Sequence, residues 1–242
     1  MNFALILAGG LGLRMNQAGE PPKQFFKLGG KPVLIHTLDK FERHDEIDSV
    51  CVVCLPTWEP YLKELIDFYG IRKADRVLSG GESRQMSVYN GLCALEQDCG
   101  PDDIVVVHDG VRPFITREII SKNIEIALAF GNAMTSIRST DSLISSPDGQ
   151  SACTAMDRDS SFTVQTPQTY RLRYGLELYR RAYERGMNNT INCCEMFIEL
   201  GEKVYIVNGR KTNVKLTTPD DIAYLKALHA IFQENPEEED VL

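Results

Sequence analysis

The stretch "LILAGGLGLRMNQAGEPPKQFFKLGGKPVLIHTL", Leu5 to Leu38, decides the fold. It opens with an apolar run that predicts a strand, continues as a glycine-rich loop, and ends on an amphipathic segment that predicts a helix from Pro32. A loop that follows the first strand of a parallel sheet lies at the edge where open α/β folds bind ligands. The stretch therefore predicts a binding site together with the fold.

The same alternation of strand and helix continues through the first half of the chain. The apolar runs "FALILA", "SVCVVCL", "RVLSGG" and "DIVVVHD" are each followed by a helical segment. Strands that alternate with helices predict βαβ units, and continuously apolar strands such as 104–107 are typical of a sheet buried on both faces. We therefore expect an α/β fold with a Rossmann-like, mostly parallel sheet, helices on both faces and one domain over residues 1–242.

The alternation breaks between about Ser139 and Thr166. This segment is polar, lacks helical periodicity and contains the turn sequence Pro147-Asp148-Gly149, which predicts an extended β-arm. Because the arm has too little apolar surface to be a domain, it must pack on the body or on another subunit. A last helix is predicted from Pro219, with a capping box at Thr218 and Asp221. The acidic tail from about residue 234 is predicted to be disordered.

Composition limits the possible partners and the compartment. The chain has 242 residues, of which 43% are hydrophobic and 25% charged, and its net charge of -8 argues against nucleic acid and anionic membranes as partners. No apolar run approaches the roughly 20 residues of a membrane span, and no basic segment precedes the first apolar run, so we expect neither a span nor a signal peptide. Seven cysteines without framework spacing predict free thiols in the cytoplasm. Cys51 and Cys54 lie three apart on a predicted strand, so their side chains should face opposite sides.

The glycine loop is the first candidate site. Gly9, Gly10 and Gly12 would let backbone N–H groups approach a phosphate chain, and Arg14 and Lys23 could reach a polyphosphate from different sides. The pattern is neither a Rossmann fingerprint, since the final glycine is missing, nor a Walker loop, since no Gly-Lys-Ser/Thr follows. Single surface cations are usually only solvated, but the strand, the glycines and both cations together predict binding of a nucleoside triphosphate.

The motifs "LAGGLGLRM" and "PPKQF" resemble the signature of the sugar-nucleotidyltransferase superfamily. Within it, the chain is most similar to cytidylyltransferases that act on 2-C-methyl-D-erythritol 4-phosphate or ribitol 5-phosphate. Further matching motifs follow in order: "SGGESRQMSVYNGL", "VVVHDGVRPFI", "DRDSSFTVQTPQTY" and "TNVKLTTPDDI". They extend from Leu7 to Ile222, so the resemblance covers nearly the whole chain.

The resemblance implies a reaction that agrees with the charge of the loop. An acceptor phosphate oxygen attacks the α-phosphorus of CTP and pyrophosphate leaves, so fixed cations and Mg²⁺ are the expected catalysts. The family places Arg14 and Lys23 on the triphosphate and Lys215 near the acceptor phosphate. Mg²⁺ would be held mostly by phosphate oxygens, with Asp109 as a candidate protein ligand.

The resemblance also implies the nucleotide-binding residues. They are Leu7, Ala8, Gly9, Gly10, Gly12, Gly81, Glu82, Ser87, Asp109 and Arg112. Asp109 is expected to contact the ribose or the metal, and Arg112 to contact a phosphate or anchor the structure. Arg84 could support the same wall as Gly81, Glu82 and Ser87. The alternative for Glu82 and Arg84, with more weight for Arg84, is that they cap the start of the helix and form a local ion pair. His108 is expected to be a structural residue, and the other histidines receive no role.

Acceptor binding is implied at Arg158 and Thr166, and at Ser142 or Thr140 in the arm. In the family the arm crosses to a neighbouring subunit, which predicts a homodimer whose sites contain arm residues of the partner. Where many relatives carry Thr-Asp ahead of the last helix, this chain has Ile191-Asn192, so the carboxylate expected to contact an acceptor hydroxyl is missing. The first motif and "HTLDKFE" lean toward a pentitol phosphate.

Three other functions remain open at this point. A related enzyme could load a sugar phosphate from UTP, GTP or dTTP, but should lack "QTPQ" and "NVKLTT". A binding protein could retain the pocket without the chemistry, which Ile191-Asn192 favours and the retained cations oppose. A dehydrogenase is disfavoured by the missing fingerprint. The pathway, an isoprenoid precursor or a cell-surface polyol polymer, also stays open.

Overall fold

A seven-stranded sheet forms the centre of the protein. The structure is a computed structural model, and it describes residues 1–10 and 21–235. Gly12, Arg14 and the tail from residue 236 lie outside the described residues. In spatial order the strands are β11 (Ile206–Asn208), β7 (Asn132–Arg138), β10 (Phe162–Arg171), β6 (Ile104–Asp109), β1 (Asn2–Ala8), β4 (Ser49–Cys54) and β5 (Arg76–Ser79). β10 is antiparallel to β6 and β7, and the other pairs in this sheet are parallel.

Seven helices in the described residues surround the sheet. They are α1 (Val33–Glu42), α2 (Glu59–Tyr69), α3 (Arg84–Glu96), α4 (Arg117–Phe130), α5 (Leu172–Glu184), α6 (Cys193–Glu199) and α7 (Pro219–Glu234). α1, α2 and α4 contribute to the apolar core on one face, and α3, α5 and α6 to the core on the other. The prediction of an α/β fold with a mostly parallel sheet and helices on both faces is confirmed.

Successive side chains of a strand point to opposite faces of the sheet, and apolar side chains on both faces explain why helices cover both. Ile104 and Val106 of β6 point into the core that contains α1, whereas Val105 and Val107 point into the core that contains α3. The predicted separation of Cys51 and Cys54 is confirmed in the same way, because the two thiols belong to different cores. Burial raises the pKa of Cys51 to about 12, so this thiol stays protonated.

The last helix begins as its sequence predicts. Thr218 and Asp221 form a capping box, and Pro219 is the first helical residue. A short hairpin, β2 (Lys27–Leu28) and β3 (Lys31–Pro32), packs against α7 in a third apolar cluster that also contains Phe114. No helix within residues 1–10 and 21–235 combines the length and the apolarity that a membrane crossing requires.

The predicted arm is present as a hairpin of β8 (Leu143–Ser145) and β9 (Thr154–Met156). Its turn is organised by the Asp148 carboxylate, which accepts hydrogen bonds from the N–H groups of Gln150 and Ser151. The arm ends earlier than the sequence suggests, because β10 begins at Phe162 and extends through Thr166 inside the central sheet.

Candidate active site

A cavity of about 740 Å³ opens at the carboxyl edge of the sheet. Its walls include residues at or just after the ends of four parallel strands: Gly9 and Gly10 after β1, Leu55 after β4, Gly81 after β5 and Asp109 at the end of β6. β1 and β6 are neighbours, while β4 and β5 extend the sheet the other way from β1. The cavity therefore lies at the topological switch point, where α/β sheets bind ligands.

The structure brings together most of the residues that the sequence predicts for nucleotide binding and catalysis. The predicted residues that line the cavity are Leu7, Ala8, Gly9, Gly10, Lys23, Gly81, Glu82, Ser87, Asp109 and Lys215. Arg112 and Thr166 lie behind this wall, where each contacts Asp109. Arg14 and Gly12 lie outside the described residues.

Asp109 is the electrostatic centre of the cavity. Its Oδ2 atom lies 3.1 Å from Lys215 Nζ and 3.2 Å from Arg112 Nε, and its Oδ1 atom lies 3.5 Å from Arg84. Burial alone would raise the pKa of this carboxyl, but the cations Lys215, Arg84 and Arg112 hold the pKa well below its usual value. Asp109 is therefore ionised, and it holds Lys215 and Arg84 at the cavity and Arg112 behind its wall.

Arg112 and Thr166 support Asp109 from the protein interior. Arg112 also donates to the Asn213 carbonyl at 2.7 Å and is only 8% exposed, which makes it a structural anchor. The Thr166 hydroxyl accepts a hydrogen bond from the Asp109 N–H. The same hydroxyl oxygen lies 3.1 Å from Nδ1 of His108, whose Nε2 faces the Arg112 carbonyl.

His108 is a structural residue, as the sequence predicts. It is fully buried, and burial lowers its pKa to about 3 although Asp109 partly opposes this effect. The ring is therefore neutral at physiological pH. The Arg112 carbonyl can only accept, so Nε2 carries the ring proton and Nδ1 accepts from Thr166.

The position of Lys23 at the cavity is fixed by two hydrogen bonds, one from its own side chain and one from the side chain of the next residue. Its Nζ donates to the Leu216 carbonyl at 2.8 Å, one residue beyond Lys215. The next side chain, Gln24, is buried and donates to the carbonyl of Ala8 at the end of β1. Two predicted cations that are distant in sequence therefore lie on adjoining segments of one cavity.

Another part of the wall is the turn that opens α3. The Gly81 N–H donates to Oγ of Ser87, and Ser87 donates to the Ser83 carbonyl while Ser83 caps the helix. A Cβ atom on Gly81 would lie 2.2 Å from Cγ of Met86, so a side chain here would displace Met86. Glycine is required at this point of close approach.

Two further residues line the cavity. Arg84 was expected either to support the wall at this turn or to act only locally at the helix start; it lines the cavity and pairs with Asp109, at the end of a different element. Ile191 lies on the cavity wall and is 76% exposed, while Asn192 accepts from the Glu195 N–H as the cap of α6. An aliphatic side chain therefore lies on the cavity wall, and the helix that follows Asn192 is α6 rather than the last helix, α7.

The arm residues lie apart from this cavity. Ser142, Thr140 and Arg158 are exposed and do not contribute to its described lining. Thr140 instead accepts a hydrogen bond from Lys211. Within one chain, the predicted acceptor-binding residues are thus divided between the body and the arm.

A cavity of about 740 Å³ at the switch point, lined by two lysines, an arginine and a glycine turn, is the kind of site that defines nucleotidyltransferases with an α/β fold. The profile of the 2-C-methyl-D-erythritol 4-phosphate cytidylyltransferase (IspD) family matches residues 3–230, and the chain belongs to this family. The prediction of a cytidylyltransferase that transfers CMP from CTP to a polyol phosphate is therefore confirmed.

Individual relatives agree with this membership. A ribitol-5-phosphate cytidylyltransferase of Streptococcus agalactiae is 38% identical over 95% of both chains. A 2-C-methyl-D-erythritol 4-phosphate cytidylyltransferase of Clostridium botulinum is 35% identical over 91% of this chain and 94% of its own. The crystal structure of 4-diphosphocytidyl-2C-methyl-D-erythritol synthase from Anaerococcus prevotii aligns with a TM-score of 0.78 at 28% identity, over 94% of this chain and 95% of that one.

Proposed function

We propose that the enzyme transfers CMP from CTP to ribitol 5-phosphate and releases pyrophosphate. The observation that carries the chemistry is the convergence of Lys23 and Lys215 on one cavity at the ends of β1 and β6. The choice of acceptor is supported by the similarity to ribitol-5-phosphate cytidylyltransferases at 37 to 39% identity. 2-C-methyl-D-erythritol 4-phosphate is the second candidate, because a relative with that name is 35% identical.

The residues of the cavity suit an in-line displacement at phosphorus. An oxygen of the acceptor phosphate forms a bond to the α-phosphorus of CTP, and the bond from that phosphorus to the bridging oxygen of pyrophosphate breaks. The attacking phosphate is already ionised at neutral pH, so no side chain has to remove a proton. Lys23, Lys215 and Arg84 would offset the negative charge that accumulates on the phosphate oxygens.

We propose Mg²⁺ as the metal. The cavity offers two carboxylates, Glu82 and Asp109, and both oxygens of Asp109 lie close to cations. Oxygen ligands suit Mg²⁺, which also binds readily through substrate phosphates. The triphosphate would supply most of the ligands. Asp109 would be the protein ligand, with the metal taking the place of one of its cation partners, and the metal would reduce the negative charge of the phosphates.

Base selection is proposed at the turn after β5. Gly81 and Ser87 line the same cavity as Lys215, and backbone N–H and carbonyl groups of this turn can address the edge of a cytosine. Cytosine presents a donor and an acceptor in the reverse order to uracil, so a rigid backbone pair can distinguish the two bases. The hydrogen bonds among Gly81, Ser83 and Ser87 supply this rigidity.

A homodimer with shared sites and a cytoplasmic location are the remaining proposals. The arm carries Ser142 and Arg158 away from the cavity of its own chain, which is the arrangement that a partner subunit would complete. All seven cysteines are free thiols, which suits a reducing compartment.

The function is tested by a matrix of pyrophosphate-release assays. CTP, UTP, GTP and dTTP are each offered with ribitol 5-phosphate and with 2-C-methyl-D-erythritol 4-phosphate. We expect turnover with CTP alone and a higher kcat/KM for ribitol 5-phosphate. Preference for UTP would overturn the base assignment, and a higher kcat/KM for the methylerythritol phosphate would overturn the acceptor assignment.

A further inference from the structure

The loop between α5 and α6, residues 185–192, brings an aliphatic side chain to the wall of the active-site cavity. Ile191 lines this cavity and is 76% exposed. Earlier in the loop, Met187 packs against the apolar core, whereas Asn188 and Asn189 are exposed. Beyond Met187 the loop has little apolar packing, so its position depends on its hydrogen bonds.

Gln85 of α3 holds this loop from the protein interior. Its Nε2 donates to the Met187 carbonyl at 2.6 Å, and its Oε1 accepts from the N–H and the hydroxyl of Thr190 at 2.9 and 3.1 Å. Gln85 is only 2% exposed, so these three bonds are shielded from water. One buried side chain thus bonds both ends of the span 187–190, directly before the residue that lines the cavity.

A second anchor holds the other end of the loop at the start of α6. The Ile191 N–H donates to the Glu195 carboxylate, and the Asn192 side chain accepts from the Glu195 N–H. The Cys193 N–H donates to Oε1 of Gln168 on β10 at 3.2 Å. Ile191 therefore lies between two anchors, and loss of the anchor on α3 would release the loop on one side.

The second anchor also shows which part of the cavity Ile191 borders. Gln168 lies two residues after Thr166 on β10, and the Thr166 hydroxyl accepts from the Asp109 N–H. Asp109 in turn pairs with Lys215. Thr166 and Lys215 are the residues of the body at which the acceptor is expected, while the base is assigned to the turn after β5. Ile191 therefore borders the acceptor side of the cavity.

We propose that Gln85 is a positioning residue for the polyol phosphate, because it holds Ile191 on the wall where this side chain packs against the carbon chain of the acceptor. The inference rests on the proposed function. Gln85 lies outside the described lining of the cavity, so it acts through the loop. A polyol presents C–H groups between its hydroxyls, and a β-branched side chain offers them a stiff apolar surface.

The proposal predicts a particular kinetic signature. Packing on the carbon chain is remote from the phosphorus that reacts, so it contributes equally to the bound acceptor and to the transition state. Loss of such uniform binding raises KM and leaves kcat unchanged. A residue that only stabilises the fold would not separate the KM of one substrate from the KM of the other.

Steady-state kinetics of two single variants tests this signature, with the polyol phosphate that the wild type prefers. Ile191→Ala should raise the KM for the polyol phosphate at least about tenfold, the lower end of what one methylene contributes in an apolar contact. Gln85→Ala should raise it by a similar factor. In both variants, kcat and the KM for CTP should stay within about threefold of wild type. Equal increases of the two KM values would overturn the proposal.

The matched control is Asn189→Ala, at an exposed position of the same loop. It should keep the wild-type KM for both substrates. An increase in the KM for the polyol phosphate equal to that of Gln85→Ala would show that any change in this loop has the same effect, and would overturn the role of Gln85.

A double variant tests whether Gln85 acts through Ile191. With Ile191→Ala in place, adding Gln85→Ala should raise the KM for the polyol phosphate by less than about twofold more. Effects that multiply would overturn the proposal. Because Ile191 is 76% exposed, Ile191→Ala should fold even if Gln85→Ala does not. An unchanged KM for the polyol phosphate in Ile191→Ala would by itself overturn the proposal.

The wild-type assay separates this inference from the function on which it rests. Absence of turnover with CTP and either polyol phosphate would overturn the proposed function, and the inference would fall with it. Turnover in the wild type, together with an unchanged KM for the polyol phosphate in both single variants, would overturn the inference alone.

Discussion

At the scale of single residues, Asp109 organises the active site through the three cations that it holds. It is 5% exposed and lies within 3.5 Å of Lys215, Arg84 and Arg112. A buried carboxylate with several cations holds each of them in one orientation, which is the pre-organisation that electrostatic catalysis needs. The roles then divide, because Lys215 and Arg84 reach the cavity and Arg112 does not.

Lys215→Ala should leave the fold intact and lower kcat by roughly 10²–10³-fold, since one positioned charge is lost from the transition state. Lys215 is partly exposed, and Asp109 keeps two arginine partners in the variant. Steady-state kinetics with CTP measures the effect. Lys226→Ala, on the exposed face of the helix that follows, is the matched control and should retain wild-type kcat. A kcat within about threefold of wild type in Lys215→Ala would contradict the assignment.

Asp109→Asn should destabilise the protein by roughly 3–5 kcal/mol, because Arg112 and Arg84 lose a buried counter-charge. The pKa of Asp109 is held well below the unfolded value of about 3.9, so the stabilisation is fully present above that pH and is lost as the pH falls below it. Urea unfolding at pH 7 and at pH 3.5 should therefore show a larger difference between wild type and variant at pH 7.

The control for this charge change is Asp98→Asn. Asp98 pairs with Arg76 at 2.8 Å but is largely exposed, so its loss should change the free energy of unfolding by less than about 1 kcal/mol. If the two variants lowered the free energy of unfolding equally, the burial of Asp109 would not be the cause of its contribution to stability.

At the scale of elements, the turn between β2 and β3 depends on two glycines for different reasons. Gly29 and Gly30 both have positive φ, but only at Gly29 would a Cβ atom meet a neighbour, His229 on α7. Gly30→Ala should cost about 1–2 kcal/mol of stability for its backbone conformation alone. Gly29→Ala should cost more, and the excess should shrink in a Gly29→Ala/His229→Ala double variant, as measured by thermal or urea unfolding. If Gly29→Ala cost no more stability than Gly30→Ala, His229 of α7 would not pack on this turn.

The elements also show what the sequence could and could not predict. The parallel strands and the capping box at Thr218 follow from local pattern, because alternation, burial and capping are encoded within a few residues. The prediction placed the first half of β10, residues 162–166, in the arm because this strand is polar, with Gln165, Thr166 and Gln168 all buried. Their partners are distant in sequence: Asn213, Asp109 and Cys193. A local pattern cannot reveal hydrogen bonds that only the folded chain creates.

The candidate site was predictable to a similar extent. Gly9, Gly10 and Lys23 could be placed at the site from the loop that follows the first strand, and Lys215 from its resemblance to a family motif; all four line the cavity. The pairing of Arg84 with Asp109 could not, because the two residues meet only when β5 and β6 align their carboxyl ends on opposite sides of β1 and β4. Arg112 was left open between a phosphate contact and an anchor, and its buried bond to Asn213 decides for the anchor.

At the scale of the whole molecule, the arm separates residues that one reaction would need together. The hairpin of β8 and β9 exposes Ile144 and Met156, which are 67% and 51% accessible, and it carries Arg158 away from the cavity of its own chain. Apolar side chains on a thin hairpin gain little from their own chain, so a second subunit is the surface that would cover them. The proposed dimer would bring Arg158 of one chain to the cavity of the other.

Mixing two inactive variants tests this arrangement. Arg158→Ala should impair acceptor binding in the partner's site, and Lys23→Ala should disable the site of its own chain. In a mixed dimer, one of the two sites then combines an intact Lys23 with an intact Arg158. With random exchange, half of the dimers are mixed and half of their sites are intact, so activity should recover to about a quarter of the wild-type value. The assay is pyrophosphate release after the variants exchange subunits, with each variant alone as the baseline. If each site used only its own chain, no mixture could exceed the mean of its two components, because every site would still lack either Lys23 or Arg158.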